Sequence, residues 1–255
     1  MKKALFLLIL LFATTLSAMA QSEAQAKLLT DAYRKHSTKM LFEFFDKWAE
    51  EVQSNENDAS NPYVTEAHKV FSAFYQPLNE TGNMGWRNQE LYEDKHYFIV
   101  QGSLWRIKQA KEIPYDSEEF NTFPTLDSAI EFHPPVHFEG RKIVYLTEGY
   151  KKLLDTFLGN THTELGEYNI MQPAFSIGES QKRQKFFNRA ALIFYGHWGG
   201  YWQYETYPEA YTIVFNQEMD RAKVLFRFIY EGGYTILEKK NGEWTVVESR
   251  LIWME

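Results

Sequence analysis

The chain has 255 residues, no cysteine, a formal charge of −7 at pH 7 and aromatic side chains at 17% of its positions. This length can bury a sizeable core by packing alone, and the missing cysteine excludes disulfide staples and thiol nucleophiles. The acidic balance argues against nucleic acid or an anionic membrane surface as partner, since both require basic patches.

The first predicted element is a secretory leader over residues 1–20. Lys2 and Lys3 give a positive start, an apolar run follows from Ala4 to Leu16, and Ala18 and Ala20 supply the small residues ahead of cleavage between Ala20 and Gln21. The apolar run is too short to span a bilayer. With no cysteine, residue 21 cannot carry the lipid of a lipoprotein. The expectation is a soluble protein in the periplasm or outside the cell, with no membrane span after cleavage. Losing twenty residues and the two lysines among them leaves 235 residues with a formal charge of −9.

A helix is expected over about 22–53, where Leu28, Ala32, Tyr33, His36, Met40, Phe44, Phe45 and Trp48 recur at spacings of three and four. The polar run Asn55 to Asn61 breaks it. A second helix follows over about 62–75, with Pro62 in its first turn and Ala67, Val70, Phe71 and Phe74 on one face. Gly82 to Gln89 reads as loop, and Tyr97 to Ile107 as a strand pair broken near Gly102. Pro114, Pro124, Pro134 and Pro135 punctuate a stretch without sustained period, read as an irregular insertion over about 110–146. A third helix spans about 147–158, with Thr147 as N-cap, Glu148 in the first turn, an apolar face of Tyr150, Leu153, Leu154 and Phe157, and Gly159 at its end. Gly166 to Glu179 reads as loop, and Gln181 to Phe187 fits a helical turn or a strand entry equally.

From about 190 to 255 the chain reads as a β-meander, with strands near 210–216, 222–230, 234–239 and 244–253. Asn241-Gly242 is a strong two-residue hairpin signal, and Gly232-Gly233 reads as a second. Two-residue loops at both places set Glu238 opposite Thr245, Ile236 opposite Val247 and Arg227 opposite Glu238. Both faces of the meander are then apolar enough to need cover. The expectation is one α+β domain, with helices packed on a curled antiparallel sheet.

That order of helices followed by a closing meander, with Ala222 to Arg227, Tyr230 to Gly233 and Asn241 to Trp244 as its hairpin rhythm, resembles the nuclear-transport-factor-two-like (ketosteroid-isomerase-like) α+β cone in its small secreted bacterial members. The resemblance covers about half of the cleaved chain and concerns architecture, and it implies a cone-like cavity with the proline-bearing stretch as insertion or lid. Ketosteroid isomerases use an Asp base with a Tyr and Asp oxyanion hole. No residue of this chain matches that motif, so no catalytic residue carries over, and the fold alone does not decide function.

Among candidate sites, residues 196–208 stand out for Gly196, Gly199 and Gly200 among rings. His197 could exchange a proton, and Trp198, Trp202 and Tyr204 could stack on a ligand. The bland alternative is a kinked strand whose rings fill the core. Arg227 with Glu238 could orient an anionic or amide ligand, or form an ordinary cross-strand pair. His133 and His137 have metal-like spacing, but Pro134 and Pro135 forbid the helix that would align them, so no metal is expected. His162 stands alone. Neither a nucleophile elbow nor a phosphate-binding glycine loop occurs, and Ser176 to Ser180 reads as polar loop. The composite expectation is an exported, non-catalytic binding protein without cofactor, whose ligand is a small molecule, glycan or peptide. The alternatives are an isomerase, dehydratase or hydrolase using His197 or Glu238 as acid/base, and an interaction component of the cell envelope.

Overall fold

The computed structural model describes residues 22–54, 61–78, 91–113, 123–165, 168–173, 175–195 and 202–254. The leader with its Ala20–Gln21 junction, most of the Asn55–Asn61 break, the Gly82–Gln89 loop, and His197 and Trp198 lie outside them. The described residues form an α+β fold of five helices and a mixed six-stranded sheet, with three two-stranded pairs beside it.

The continuous helix expected over 22–53 is two helices. Residues 22–34 form α1, and Thr38–Glu51 form α2. His36 takes the left-handed conformation at φ 50°, and the Ser37 N–H reaches back to the Ala32 carbonyl, closing α1. The Ser37 side chain then caps α2 by accepting from the Met40 N–H. The apolar period runs through the break because both helices bury the same side, α2 through Leu41, Phe44, Phe45 and Trp48.

Helix α3 (Pro62–Phe74) starts at an Asn61 cap, and α4 (Glu148–Leu158) at a Thr147 cap, ending on left-handed Gly159. Helix α5 (Ile177–Phe187) occupies ground expected to be partly loop and partly ambiguous. Ser176 caps it, and it buries only Phe186 and Phe187. A strand pair, β5 (Asn160–Leu165) with β6 (Tyr168–Pro173), precedes it.

The strand pair expected around Gly102 divides between two sheets. β1 (Tyr97–Gln101) runs parallel to β4 (Lys142–Leu146), whereas β2 (Ser103–Gln109) joins the large sheet. At the junction, a Cβ on Gly102 would run into the Leu146 carbonyl, so only glycine lets the two chains approach there. β3 (Thr125–Glu131) pairs antiparallel with β2. Thus the stretch over 110–146 expected to be irregular supplies both β3 and β4.

Two short paired strands, β7 (Phe194–Tyr195) and β8 (Trp202–Gln203), lie just before and within the aromatic segment 196–208. The meander is β9 (Glu209–Phe215), β10 (Arg221–Phe228), β11 (Glu231–Lys240) and β12 (Glu243–Met254). The large sheet has the order β12-β11-β10-β9-β2-β3, with β2 and β9 parallel and all other neighbours antiparallel.

Asn241 and Gly242, at φ 55° and 88°, close the β11–β12 hairpin, and Glu238 faces Thr245. The β10–β11 turn is made by Ile229 and Tyr230 instead of the two glycines, which lie inside β11. Arg227 therefore faces Gly232, and Glu238 faces Arg221, so the expected Arg227–Glu238 pair does not form. Ile236 faces Glu248 because Val247 is the extra residue of a bulge.

Two cores result. One joins α1, α2, α4 and α5 to β1 and β4 around Phe44, Phe45, Trp48, Leu154 and Phe187. The other packs α3 on one face of the sheet through Val70, Phe71 and Phe74 against Ile213, Val224, Phe226 and Leu237. On the opposite face Leu225, Tyr234 and Ile236 are buried with Tyr211 against them, and the Lys223 ammonium lies 3.9 Å from the centre of the Tyr234 ring.

Candidate functional site

Among the described residues, those singled out from sequence do not converge. Trp202 and Tyr204 are buried in the first core. The Trp202 ring packs 4.8 Å from that of Tyr195, and the Tyr204 hydroxyl donates to buried Asp155 at 2.6 Å. Burial first, and then the Asp155 charge, raise the Tyr204 phenol well above its usual range. Arg227 donates through Nε to the Ile229 carbonyl at 3.2 Å, while Glu238 holds Lys240 at 3.1 Å far along the sheet. His133 is buried against the Tyr145 ring at 5.0 Å, and burial pushes its imidazole pKa down. Ser180 donates to the Leu158 carbonyl at 2.7 Å and Ser176 caps α5, so both are structural. Among the described residues, no three His, Asp or Glu side chains gather as metal ligands.

A cavity of about 330 Å³ opens elsewhere, lined by Ala24, Gln25, Lys47, Glu50 and Glu51. The reversal at His36 builds it, because two successive helices joined by a tight turn bring the start of α1 beside the end of α2. Its floor is rigid. The Trp48 indole donates to the Tyr145 carbonyl at 2.9 Å and stacks on the Tyr150 ring at 4.2 Å, the two rings nearly parallel. Tyr150, from α4, donates its hydroxyl to Glu51 Oε2 at 2.7 Å, and Gln25 Nε2 donates to the same oxygen at 3.5 Å. Burial and the neighbouring Glu51 raise the Tyr150 phenol, which therefore stays a proton donor.

Gln25 is 6% exposed, and its Oε1 has no hydrogen-bond partner. A buried amide oxygen left unpaired costs about 1–3 kcal/mol. The cavity lining thus brings together Gln25, whose Oε1 is unpaired, and three residues on one face of α2, the carboxylates of Glu50 and Glu51 and the ammonium of Lys47. That arrangement accepts hydrogen bonds from a guest. A volume near the lower end of small-molecule sites suits a compact one. Sequence reasoning missed these residues because Gln25, Glu50 and Glu51 read as the polar side of a helix; the Ser37-Thr38 cap signal was the one clue to the reversal.

A second polar cluster lies between β8 and β9. Thr206 pairs with β1 in both directions, its N–H to the Ile99 carbonyl and its hydroxyl accepting from the Ile99 N–H, each at 2.8 Å. Gln203 reaches both ways too, donating to Glu205 at 2.7 Å and accepting from the Ile229 N–H at 3.3 Å. Burial, and next the charge of Glu209, push the Glu205 carboxyl up. Burial raises Glu209 as well, against the opposing charges of Lys151 and Arg227. Glu209 faces Arg227 across β9 and β10. Both glutamates sit in or beside the aromatic segment, where the rings drew attention away from them.

Comparison of the chain with protein-family models, with curated proteins and with solved structures gave no match. The functional argument therefore rests on the geometry.

Proposed function

We propose that the protein is an exported, non-catalytic binding protein whose ligand is a small polar molecule, seated in the cavity between α1 and α2. The observation that carries this reading is Gln25 Oε1, an unpaired acceptor buried in the wall of a cavity whose neighbouring carboxylate is already aimed by Tyr150. A guest bearing hydrogen-bond donors, such as an amine or the hydroxyls of a sugar, would satisfy it. The ligand is placed here instead of at residues 196–208 because Trp202 and Tyr204 serve the core. Residues 1–20 as a cleaved leader, and a cone-like curl of the sheet like that of the family it resembles, belong to the same reading.

The test is a thermal-shift and calorimetry panel of small amines and monosaccharides on the purified protein. A compound that raises the melting temperature should lose at least roughly tenfold in affinity in Gln25→Leu and in Glu51→Gln, the scale of one buried polar contact. Both variants should keep the wild-type circular dichroism. A panel without any binder, or binding that ignores both substitutions, overturns the reading.

An acid/base enzyme is the second reading, favoured by the raised Glu205 carboxyl. Glu205 takes the role expected of Glu238, which is a partner of Lys240. Turnover abolished by Glu205→Gln, with the α1–α2 cavity variants fully active, would select it.

A further inference from the structure

β12 is the last strand of the six-stranded sheet, and among the described residues no strand pairs with its outer edge. It is twelve residues long and contains neither proline nor lysine, two common devices that blunt a free edge. Val247, Leu251 and Ile252 on it are 46%, 41% and 54% exposed. Val247 and Ile252 are the extra residues of two bulges against β11, so the regular stretch between them is Glu248–Leu251. Within it the Glu248 carboxylate accepts from the Tyr234 hydroxyl at 3.1 Å and holds the Arg250 guanidinium, which fixes both charges on one face.

Suppose a second copy extends the sheet antiparallel along this edge. Residues directly opposite in such a sheet point to the same face, so the two-fold axis must set one residue against its own copy. Centring on Glu248 opposes two carboxylates, and centring on Arg250 opposes two guanidinium groups. Leu251 at the centre sets Arg250 against apolar Ile252 and leaves its charge unmet. Only Ser249 at the centre sets Glu248 against Arg250 of the second copy, twice by symmetry. Opposite charges directly across a pair stabilise it, whereas like charges oppose it.

We propose that the protein forms a homodimer by antiparallel pairing of β12 with β12 of a second copy, centred on Ser249, which joins the two six-stranded sheets into one. The two-fold pairing uses the β12 edge of both copies and so closes at a pair, and the bulges end the regular ladder on both sides. The proposal is independent of the cavity reading.

Sedimentation equilibrium of the purified protein up to about 100 μM tests it. The wild type should associate as a dimer. Arg250→Glu makes both symmetric pairs like-charged and should weaken the dimer at least roughly tenfold. The double variant Glu248→Arg with Arg250→Glu restores opposite charges and should recover the dimer. Unchanged circular dichroism and melting temperature show that each variant folds, and Leu251→Lys replaces any variant that does not. A monomeric wild type, a dimer indifferent to Arg250→Glu, or a double variant that stays monomeric overturns the proposal.

Discussion

Glu66 on α3 shows how one side chain ties a helix to a sheet. Its carboxylate accepts from Lys69 at 2.7 Å within its own helix, from Lys239 on β11 at 2.8 Å, and from the Trp244 indole on β12 at 3.0 Å. Burial alone would raise its pKa. The hydrogen bonds from Lys239, Lys69 and Trp244 outweigh burial and hold the group at about 2, against 4.5 for the free side chain. The unfolded chain therefore takes up this proton first as pH falls. The stability Glu66 contributes is present above 4.5 and is lost as pH falls toward 2. Glu66→Gln keeps the shape and removes the charge, and should cost about 1–3 kcal/mol at neutral pH. Urea unfolding of wild type and variant at pH 7 and below pH 3 checks this, because the difference should shrink on the acid side. A gap that stays constant with pH would assign the loss to packing.

At the scale of elements, Ser37 makes the point that caps decide where helices begin. Its side chain satisfies the Met40 N–H at the start of the helix that carries Trp48 and the cavity carboxylates. Ser37→Ala should cost about 1 kcal/mol, read as a lower urea midpoint, and Ser37→Asp should restore most of it. The apolar period that runs through Ser37 masks this cap in the sequence, but local chemistry of the same kind is legible elsewhere. Asn61 before Pro62, Thr147, Gly159 and Asn241-Gly242 each satisfy or turn the backbone within a few residues, and each marks an element end. What the sequence hid depends on distant partners. Helix α5 has a weak apolar face and is held in part by Arg183, which bonds the Phe157 carbonyl at 2.9 Å and lies over the Phe175 ring. β4 is a strand because it runs beside β1, more than forty residues earlier. The β10–β11 turn misled for a related reason. Gly232-Gly233 has the chemistry of a turn, yet a Cβ on Gly233 would meet the Arg250 carbonyl and the Phe226 ring, so close packing inside the strand requires the glycine. The turn then falls on Ile229, a β-branched residue at φ 53°, an unfavourable choice by local propensity that tertiary contacts enforce. The candidate cavity was hidden likewise, since nothing in residues 22–53 shows that Gln25 will meet Glu51 until the chain reverses at His36.

For the whole molecule, opposed carboxyl shifts set the pH range of stability. Glu205 is displaced in the opposite sense to Glu66: burial, then the charge of Glu209, favour its protonated form. The folded chain thus keeps a proton that the unfolded chain gives up near 4.5. Glu205 contributes stability in full below that value, and the contribution is lost as pH rises through the raised folded pKa. Glu66 acts as pH falls, Glu205 as it rises, and Glu209 shifts the same way as Glu205. The buried phenols of Tyr75, Tyr204 and Tyr207 are raised chiefly by burial, and they extend the same decline past pH 10. Stability should therefore peak on the mildly acidic side of neutrality and fall from there to about pH 8. Glu205→Gln keeps an amide able to hydrogen-bond Gln203 and removes the titration, so it should flatten the fall between 4.5 and about 8 while leaving the acid limb, governed by Glu66, in place. Urea midpoints at intervals from pH 3 to 10 for both proteins measure this. Parallel curves between 4.5 and about 8 would show that Glu205 titrates alike in the folded and unfolded chains.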